Sequence, residues 1–144
     1  MSGQRTTRVL LIEDEPADIE FTQYAFDRGT LNHQLHVCRS GQLALDFLQR
    51  SSGTDDFPEL ILLDVNLPDV TGIDLLQQIR GLPSSLLTPV VVLSTSNYGA
   101  DVLAAYTQQA NAYVQKPLRL TEFENLVRTI EEFWFGQAIL PSDH

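Results

Sequence analysis

Short apolar runs recur along the chain, each bounded by polar or turn-forming residues, and their lengths fit buried strands. Four of these runs lie at Val9 to Ile12, Leu60 to Leu63, Val90 to Leu93 and Ala112 to Val114. A fifth segment, Gln34 to Cys38, alternates polar and apolar side chains as an edge strand does, with Leu35 and Val37 on one face. The pattern therefore predicts five strands.

Segments with helical periodicity alternate with these strands. They span Pro16 to Arg28, Gly41 to Arg50, Ile73 to Arg80, about Ala100 to Ala110, and Thr121 to Phe135. The first three end in Arg, whose positive charge is favourable at the carboxyl end of a helix. In the last segment, Phe123, Val127, Ile130 and Trp134 share one face, and Gly136 offers a stop.

A strand-helix unit repeated five times predicts an α/β fold with a mostly parallel sheet covered on both faces, a three-layer sandwich joined by right-handed crossovers. The 144 residues fit a single domain. We expect its core to span about residues 8–134, with a short tail at 136–144. This length leaves little room for a separate output domain.

The net charge of the chain argues against some classes of binding partner. Nineteen acidic and nine basic side chains give a net charge of -10, which repels phosphate backbones and anionic lipid headgroups. Direct binding to nucleic acid or to a membrane is therefore not expected. Cys38 is the single cysteine, and no charged start with a following apolar stretch indicates a signal peptide. These features favour the cytoplasm.

Polar residues with related chemistry follow four of the strands. They are Glu13 to Glu15, Asp64 to Asn66, Ser94 with Thr95, and Lys116 with Pro117. Ligands bind beyond the carboxyl ends of the strands in open α/β sheets. Carboxylates that meet there repel one another unless a cation lies among them, and oxygen ligands without Cys or His favour Mg²⁺ over Zn²⁺.

A lysine ammonium and a serine hydroxyl opposite such a metal would stabilise a transferring phosphoryl group. Asp64 ends the strand that reads as most central, and carboxylates can accept phosphoryl groups as aspartyl phosphates. Ser94 is the competing acceptor on residue type alone.

The residues that carry this chemistry match a known family. The segments VLLIEDE, LILLDVNLPDVTG, PVVVLSTS and AYVQKP, with the intervals that separate Asp64, Ser94 and Lys116, resemble the receiver domains of two-component response regulators. The resemblance covers about Arg8 to Trp134. It implies the flavodoxin-like strand order 2-1-3-4-5, for which a chemotaxis receiver is a standard example.

The resemblance also implies roles for individual residues. Asp64 is the expected phosphoacceptor. Asp14, Asp64 and the main-chain carbonyl of Asn66 are the expected Mg²⁺ ligands, and Glu13 acts through water. Lys116 would bind the phosphoryl oxygen.

The implied switch consists of Ser94, whose hydroxyl moves to the phosphoryl group, and Tyr113, which turns inward with it. Asn66 and Ser96 hold positions that tune the lifetime of the phosphoryl group in this family. The sequence departs from the family pattern at Glu13, where Asp is commonest, at Ser94, where Thr is more usual, and at Asp69 to Gly72, which reads DVTG.

More narrowly, the segments NHQLHVCRSGQLALDFL and TIEEFWFGQAILP are similar to small regulators paired with cyanobacterial and bacterial phytochrome kinases. This implies a histidine kinase as phosphodonor, an unknown downstream protein, and frequent dimers through the fourth helix, fifth strand and fifth helix. On a helical wheel Trp134 faces the core and Phe135 does not. We therefore expect a dimer or partner face formed by Phe133, Phe135, Ile139 and Leu140, the alternative being a tail folded back on its own domain.

Two other function classes are compatible with parts of this pattern. A phosphatase of the haloacid-dehalogenase type needs a second Asp two residues after the first, and this chain has Asn66. A pseudo-receiver, a binding module that keeps the fold without being phosphorylated, stays open as the alternative. The retained Asp14, Asp64, Ser94 and Lys116 argue against it.

Overall fold

The computed structural model describes residues 6–138. Five parallel strands form one sheet in the order β2-β1-β3-β4-β5. They are β1 (Thr7–Ile12), β2 (His33–Cys38), β3 (Leu60–Asp64), β4 (Val90–Ser94) and β5 (Ala112–Gln115). The strand order and the three-layer α/β class predicted from the sequence are confirmed.

Five α-helices connect and flank the strands. They are α1 (Pro16–Asp27), α2 (Gly41–Ser51), α3 (Gly72–Gly81), α4 (Gly99–Thr107) and α5 (Leu120–Glu132). A 3₁₀ turn over Pro83–Ser85 precedes β4, and a π-helical turn over Phe133–Gln137 extends α5. None of the described helices is both long enough and apolar enough to span a bilayer.

Alternate residues of each central strand enter two separate cores, since successive side chains point to opposite faces of a sheet. Leu10, Ile61 and Val92 face α2, α3 and α4, where the other core members include Phe47, Leu48, Leu75, Leu76, Ile79 and Ala105. Leu11, Leu62 and Val91 face α1 and α5, where the other members include Ile19, Phe26, Phe123, Val127 and Ile130. Strands β3 and β4 are buried throughout, which explains why they read as continuous apolar runs.

Helix α4 ends earlier than its periodicity predicts. The sequence favoured a helix to Ala110, whereas the helix ends at Thr107 and Gln109 takes a left-handed conformation with φ of 70°. Arg80 at the end of α3 donates to the Gln109 carbonyl at 2.9 and 3.1 Å and to Asn111 Oδ1 at 2.9 Å. It also donates to the carbonyls of Ser85, Leu86 and Thr88. The Arg80 guanidinium therefore holds both the segment before β4 and the segment between α4 and β5.

At the carboxyl end of α5, the side-chain directions also differ from those that a helical wheel predicts. Ala138 N donates to Phe133 O at 2.7 Å, an i to i+5 bond that widens the turn. Each residue then rotates the chain less than in an α-helix, so Phe135 comes round to pack beside Trp134 on the α1 and α5 core. Phe133 is the exposed aromatic, at 49%. The expectation that Phe135 projects away is therefore wrong, while Trp134 faces the core as expected; Ile139 and Leu140 lie outside the described residues.

Candidate functional site

The acidic residues that follow β1 and β3 meet at the carboxyl edge of the sheet. Residues Ile12 and Leu63 are paired in the β1 and β3 register, so the residues that follow them are neighbours. One carboxylate oxygen from each of Glu13, Asp14 and Asp64 lies within 4.8 Å of the others. Glu13 and Asp64 are buried, and Asp14 is half-buried. The predicted three-carboxylate cluster is present.

Lys116, just after β5, brings the only lysine ammonium of the chain into this cluster. Its Nζ lies 2.8 Å from Glu13 Oε1, 2.8 Å from Asp18 Oδ2 and 3.3 Å from Asp64 Oδ1. Its main-chain N–H donates to Ser94 O at 2.7 Å, which fixes the start of the Lys116 side chain against the end of β4.

Burial and charge set the ionisation of these groups. Burial raises the pKa of Glu13 to about 7, and the charge of Asp64 adds to this rise against the opposing contacts with Lys116. Burial alone would lower the pKa of Lys116, but the hydrogen bonds that its ammonium donates to Asp18 and Glu13 outweigh burial and raise the pKa above its ordinary value. The ammonium therefore stays charged at neutral pH.

The donor set fits a hard divalent cation. Asp64 Oδ1 is buried and, within residues 6–138, has no hydrogen-bond partner, because the 3.3 Å approach of Lys116 is an ionic contact without hydrogen-bond geometry. A buried carboxylate oxygen of this kind is costly unless a charge compensates it. Three neighbouring carboxylates and no Cys or His nearby match the preference of Mg²⁺ or Mn²⁺ for oxygen.

Asn66 lies two residues beyond Asp64 in the loop that leads to α3. The loop closes through a bridge between Asn66 and Thr71 and a 2.9 Å bond from Gly72 N to Val65 O. Asn66 itself is exposed. Its position is compatible with the expected carbonyl ligand.

The two expected switch residues lie on β4 and β5 and share a partner. Ser94 is buried, and its Oγ accepts a 3.0 Å hydrogen bond from Ser96 N. Tyr113 is half-buried, and its hydroxyl donates to Ser96 O at 2.8 Å. Both side chains are therefore tied to the loop after β4.

Two acidic contacts escaped the sequence analysis. Asp18 favours the amino end of α1 by its charge, but its carboxylate also binds Lys116. Asp69 accepts hydrogen bonds from Gly41 N at 2.9 Å and Gln42 N at 3.0 Å and so caps α2 from the loop after β3. The sequence signal for Asp18 is its place in the first helical turn after the acidic pair; no local signal exists for Asp69, which acts across 28 residues.

Comparison with known proteins shows which family the chain resembles. Residues 9–128 match the response regulator receiver domain. The chain belongs to the response regulator receiver family. The curated protein "Response regulator Rcp1" of Synechocystis sp. is 38% identical over 136 residues, which cover 93% of this chain and 92% of that protein.

Solved receivers have the same fold. A crystal structure of the phosphorylated cyanobacterial phytochrome response regulator RcpA superposes with a TM-score of 0.86 at 37% identity and covers 95% of this chain and 99% of that one. The Mn²⁺-bound form of Rcp1 gives a TM-score of 0.82 at 37% identity, over 94% and 99%. This receiver is thus homologous to regulators of cyanobacterial phytochrome.

Proposed function

We propose that this receiver accepts a phosphoryl group on Asp64 from a sensor histidine kinase, with Mg²⁺ in the acidic cluster, and that the modification changes its contacts with other proteins. The observation that carries the proposal is the buried Asp64 carboxylate in the three-carboxylate cluster, whose Oδ1 lies 3.3 Å from the Lys116 ammonium. The carboxylate supplies a nucleophile, and the fixed positive charge would stabilise the phosphoryl oxygens during the transfer.

The residues divide the chemistry among them. Glu13, Asp14, Asp64 and the Asn66 carbonyl would hold Mg²⁺, which supplies positive charge for the phosphoryl oxygens. An oxygen of Asp64 forms the bond to phosphorus while the bond from phosphorus to the kinase histidine nitrogen breaks, and the nitrogen keeps the electron pair. Lys116 neutralises a phosphoryl oxygen, and Ser94 donates its hydroxyl to another once it leaves Ser96 N.

The phosphodonor that we propose is a phytochrome kinase. The support is the similarity over nearly the full length to Rcp1 and to the phytochrome regulator RcpA. A homodimer is the proposed assembly. Among the described residues of the predicted partner face, Phe133 is the one whose ring is exposed to solvent.

The test is the intact mass of the purified protein after incubation with acetyl phosphate and Mg²⁺, with EDTA as the metal control. We expect a gain of one phosphoryl group that depends on Mg²⁺ and is lost in Asp64→Asn. Asp55→Asn, the same change in an exposed loop residue, should label like the wild type. Light scattering on both samples then shows whether phosphorylation changes assembly.

Failure has a defined meaning. Labelling of Asp64→Asn at the wild-type level would show that Asp64 is not the acceptor and would direct attention to Ser94. No gain with acetyl phosphate or with a phytochrome kinase, while Mg²⁺ binds, would establish the pseudo-receiver alternative.

A further inference from the structure

Hydrogen bonds that converge on Ser96 hold the loop between β4 and α4. Its N–H donates to Ser94 Oγ at 3.0 Å, and its carbonyl accepts from the Tyr113 hydroxyl at 2.8 Å. Its Oγ accepts from Tyr98 N at 3.2 Å and donates to a carboxylate oxygen of Asp101 in a short bond. One residue thus connects both expected switch side chains to the first turn of α4.

Asp101 occupies the third position of α4, where acidic residues usually serve the helix itself. Here the carboxylate accepts from the Ser96 hydroxyl, and the oxygen of that hydroxyl in turn accepts from the N–H of Tyr98, the residue just before the helix. Within residues 6–138, Tyr98 makes no capping bond through its own side chain. The N–H of the residue that precedes the helix is therefore bonded by Ser96, and Asp101 fixes the orientation of the Ser96 hydroxyl.

We propose that Asp101 is a positioning residue of the switch: through Ser96 it holds Ser94 and Tyr113 in the resting arrangement and sets how readily the loop rearranges. The inference rests on the proposed function. We infer that the Ser94 hydroxyl gives up the Ser96 N–H, which it accepts at 3.0 Å, when it moves to a phosphoryl group on Asp64. A loop held by the Asp101 bond resists that change, and a loop without the bond populates the rearranged state more often.

A ligand that binds only the rearranged state gains apparent affinity in proportion to the population of that state. Loss of one charge-assisted hydrogen bond at an exposed site should therefore increase that affinity by about threefold to tenfold. Asp101 is exposed and outside both cores, so its replacement leaves the packing of the domain intact.

The test is the affinity for beryllium fluoride, a mimic of the aspartyl phosphoryl group, measured by NMR titration in the presence of Mg²⁺. We expect Asp101→Ala to bind about threefold to tenfold more tightly than the wild type. Asp74→Ala is the matched control, because Asp74 holds the same third position in α3 and is exposed. It should bind like the wild type, as should Asp101→Asn, whose amide oxygen still accepts from Ser96.

Two further measurements separate the bond from a general effect on α4. Ser96→Ala, which also removes the bond from Tyr98 N, should tighten binding at least as much. Adding Asp101→Ala to it should change little, because the Asp101 bond is already lost. Without the mimic, the Ser96 and Tyr98 amides should exchange with solvent faster in Asp101→Ala than in Asp74→Ala.

The outcomes distinguish the two proposals. A wild type that fails to bind beryllium fluoride with Mg²⁺ would overturn the phosphoacceptor function and the positioning role with it. A wild type that binds, with Asp101→Ala indistinguishable from Asp74→Ala in affinity and amide exchange, would overturn the positioning role alone.

Discussion

The cap that Asp69 places on α2 yields a quantitative prediction. Its carboxylate accepts the main-chain N–H groups of Gly41 and Gln42, while the Ser40 hydroxyl accepts that of Leu43 at 3.2 Å. The first turn of α2 thus receives three of the hydrogen bonds that a helix cannot make within itself. Asp69→Ala removes two of the three, both of them to a charged acceptor.

The size of the effect follows from these contacts. A net hydrogen bond contributes about 0.5 to 1.5 kcal/mol, and a charge at a helix start adds less where solvent screens it, as it does for the exposed Asp69. We expect Asp69→Ala to lower the free energy of unfolding by about 1 to 2 kcal/mol, equivalent to about 3 to 6 °C in Tm for a domain of this size.

The assay is urea unfolding at neutral pH. At this pH Asp69 is ionised in the folded protein, because the two hydrogen bonds lower its pKa below the ordinary value of 3.8. A lowered folded-state pKa means that the stabilisation is complete above the unfolded value and is lost as the pH falls through the folded one. Asp55→Ala, in an exposed loop, is the control, and equal unfolding free energies for the two variants would refute the capping argument.

Three further predictions concern packing, protonation and the switch. Gly72→Ala should lower the free energy of unfolding in urea by about 3 kcal/mol, because a Cβ there would overlap Val65 Cα and lie 2.9 Å from a carbonyl oxygen of β3. Gly81→Ala, at an open position of the same helix, is the control and should leave the free energy of unfolding unchanged. Burial, with the nearby Arg50 charge, lowers the pKa of His36, so the unfolded chain takes up its proton first. Stability should therefore fall as the pH drops below about 6.5, and the fall should be smaller in His36→Phe; an unchanged slope would contradict the assignment. Lys116→Ala should keep its Mg²⁺ affinity but lose any change in light scattering on phosphorylation. A preserved change would exclude a role of Lys116 in linking phosphorylation to assembly.

The strands could be predicted closely because their signal is local. The predicted runs at Val90 to Leu93 and Leu60 to Leu63 each fall one residue short of the observed strand, and β2 was identified from alternation alone. The end of α4 was not predicted, because a tertiary contact determines it. The end of α4 depends on Arg80, which lies 29 residues before the carbonyl it binds, and periodicity contains no record of that contact.

The candidate site divides in the same way. Glu13, Asp14, Asp64, Ser94 and Lys116 could be grouped in advance because parallel strands bring their carboxyl ends to one edge. Asp18, Asp69 and Asp101 could not, since a lone acidic residue near a helix start looks the same whether it serves its own helix or reaches across to Lys116, α2 or Ser96. The wheel failed at Phe135 because it assumes one helical pitch throughout, and the π turn changes that pitch.

Because Lys116 is the single lysine of the chain, every side-chain amine signal of this protein comes from the centre of the acidic site. Protein grown with ¹⁵N only in lysine would give one ε-ammonium resonance, with no assignment required. Its two 2.8 Å ion pairs and 9% exposure slow proton exchange, the condition under which such a resonance is observed. A single spectral line can therefore follow metal binding, phosphoryl transfer and its reversal in real time.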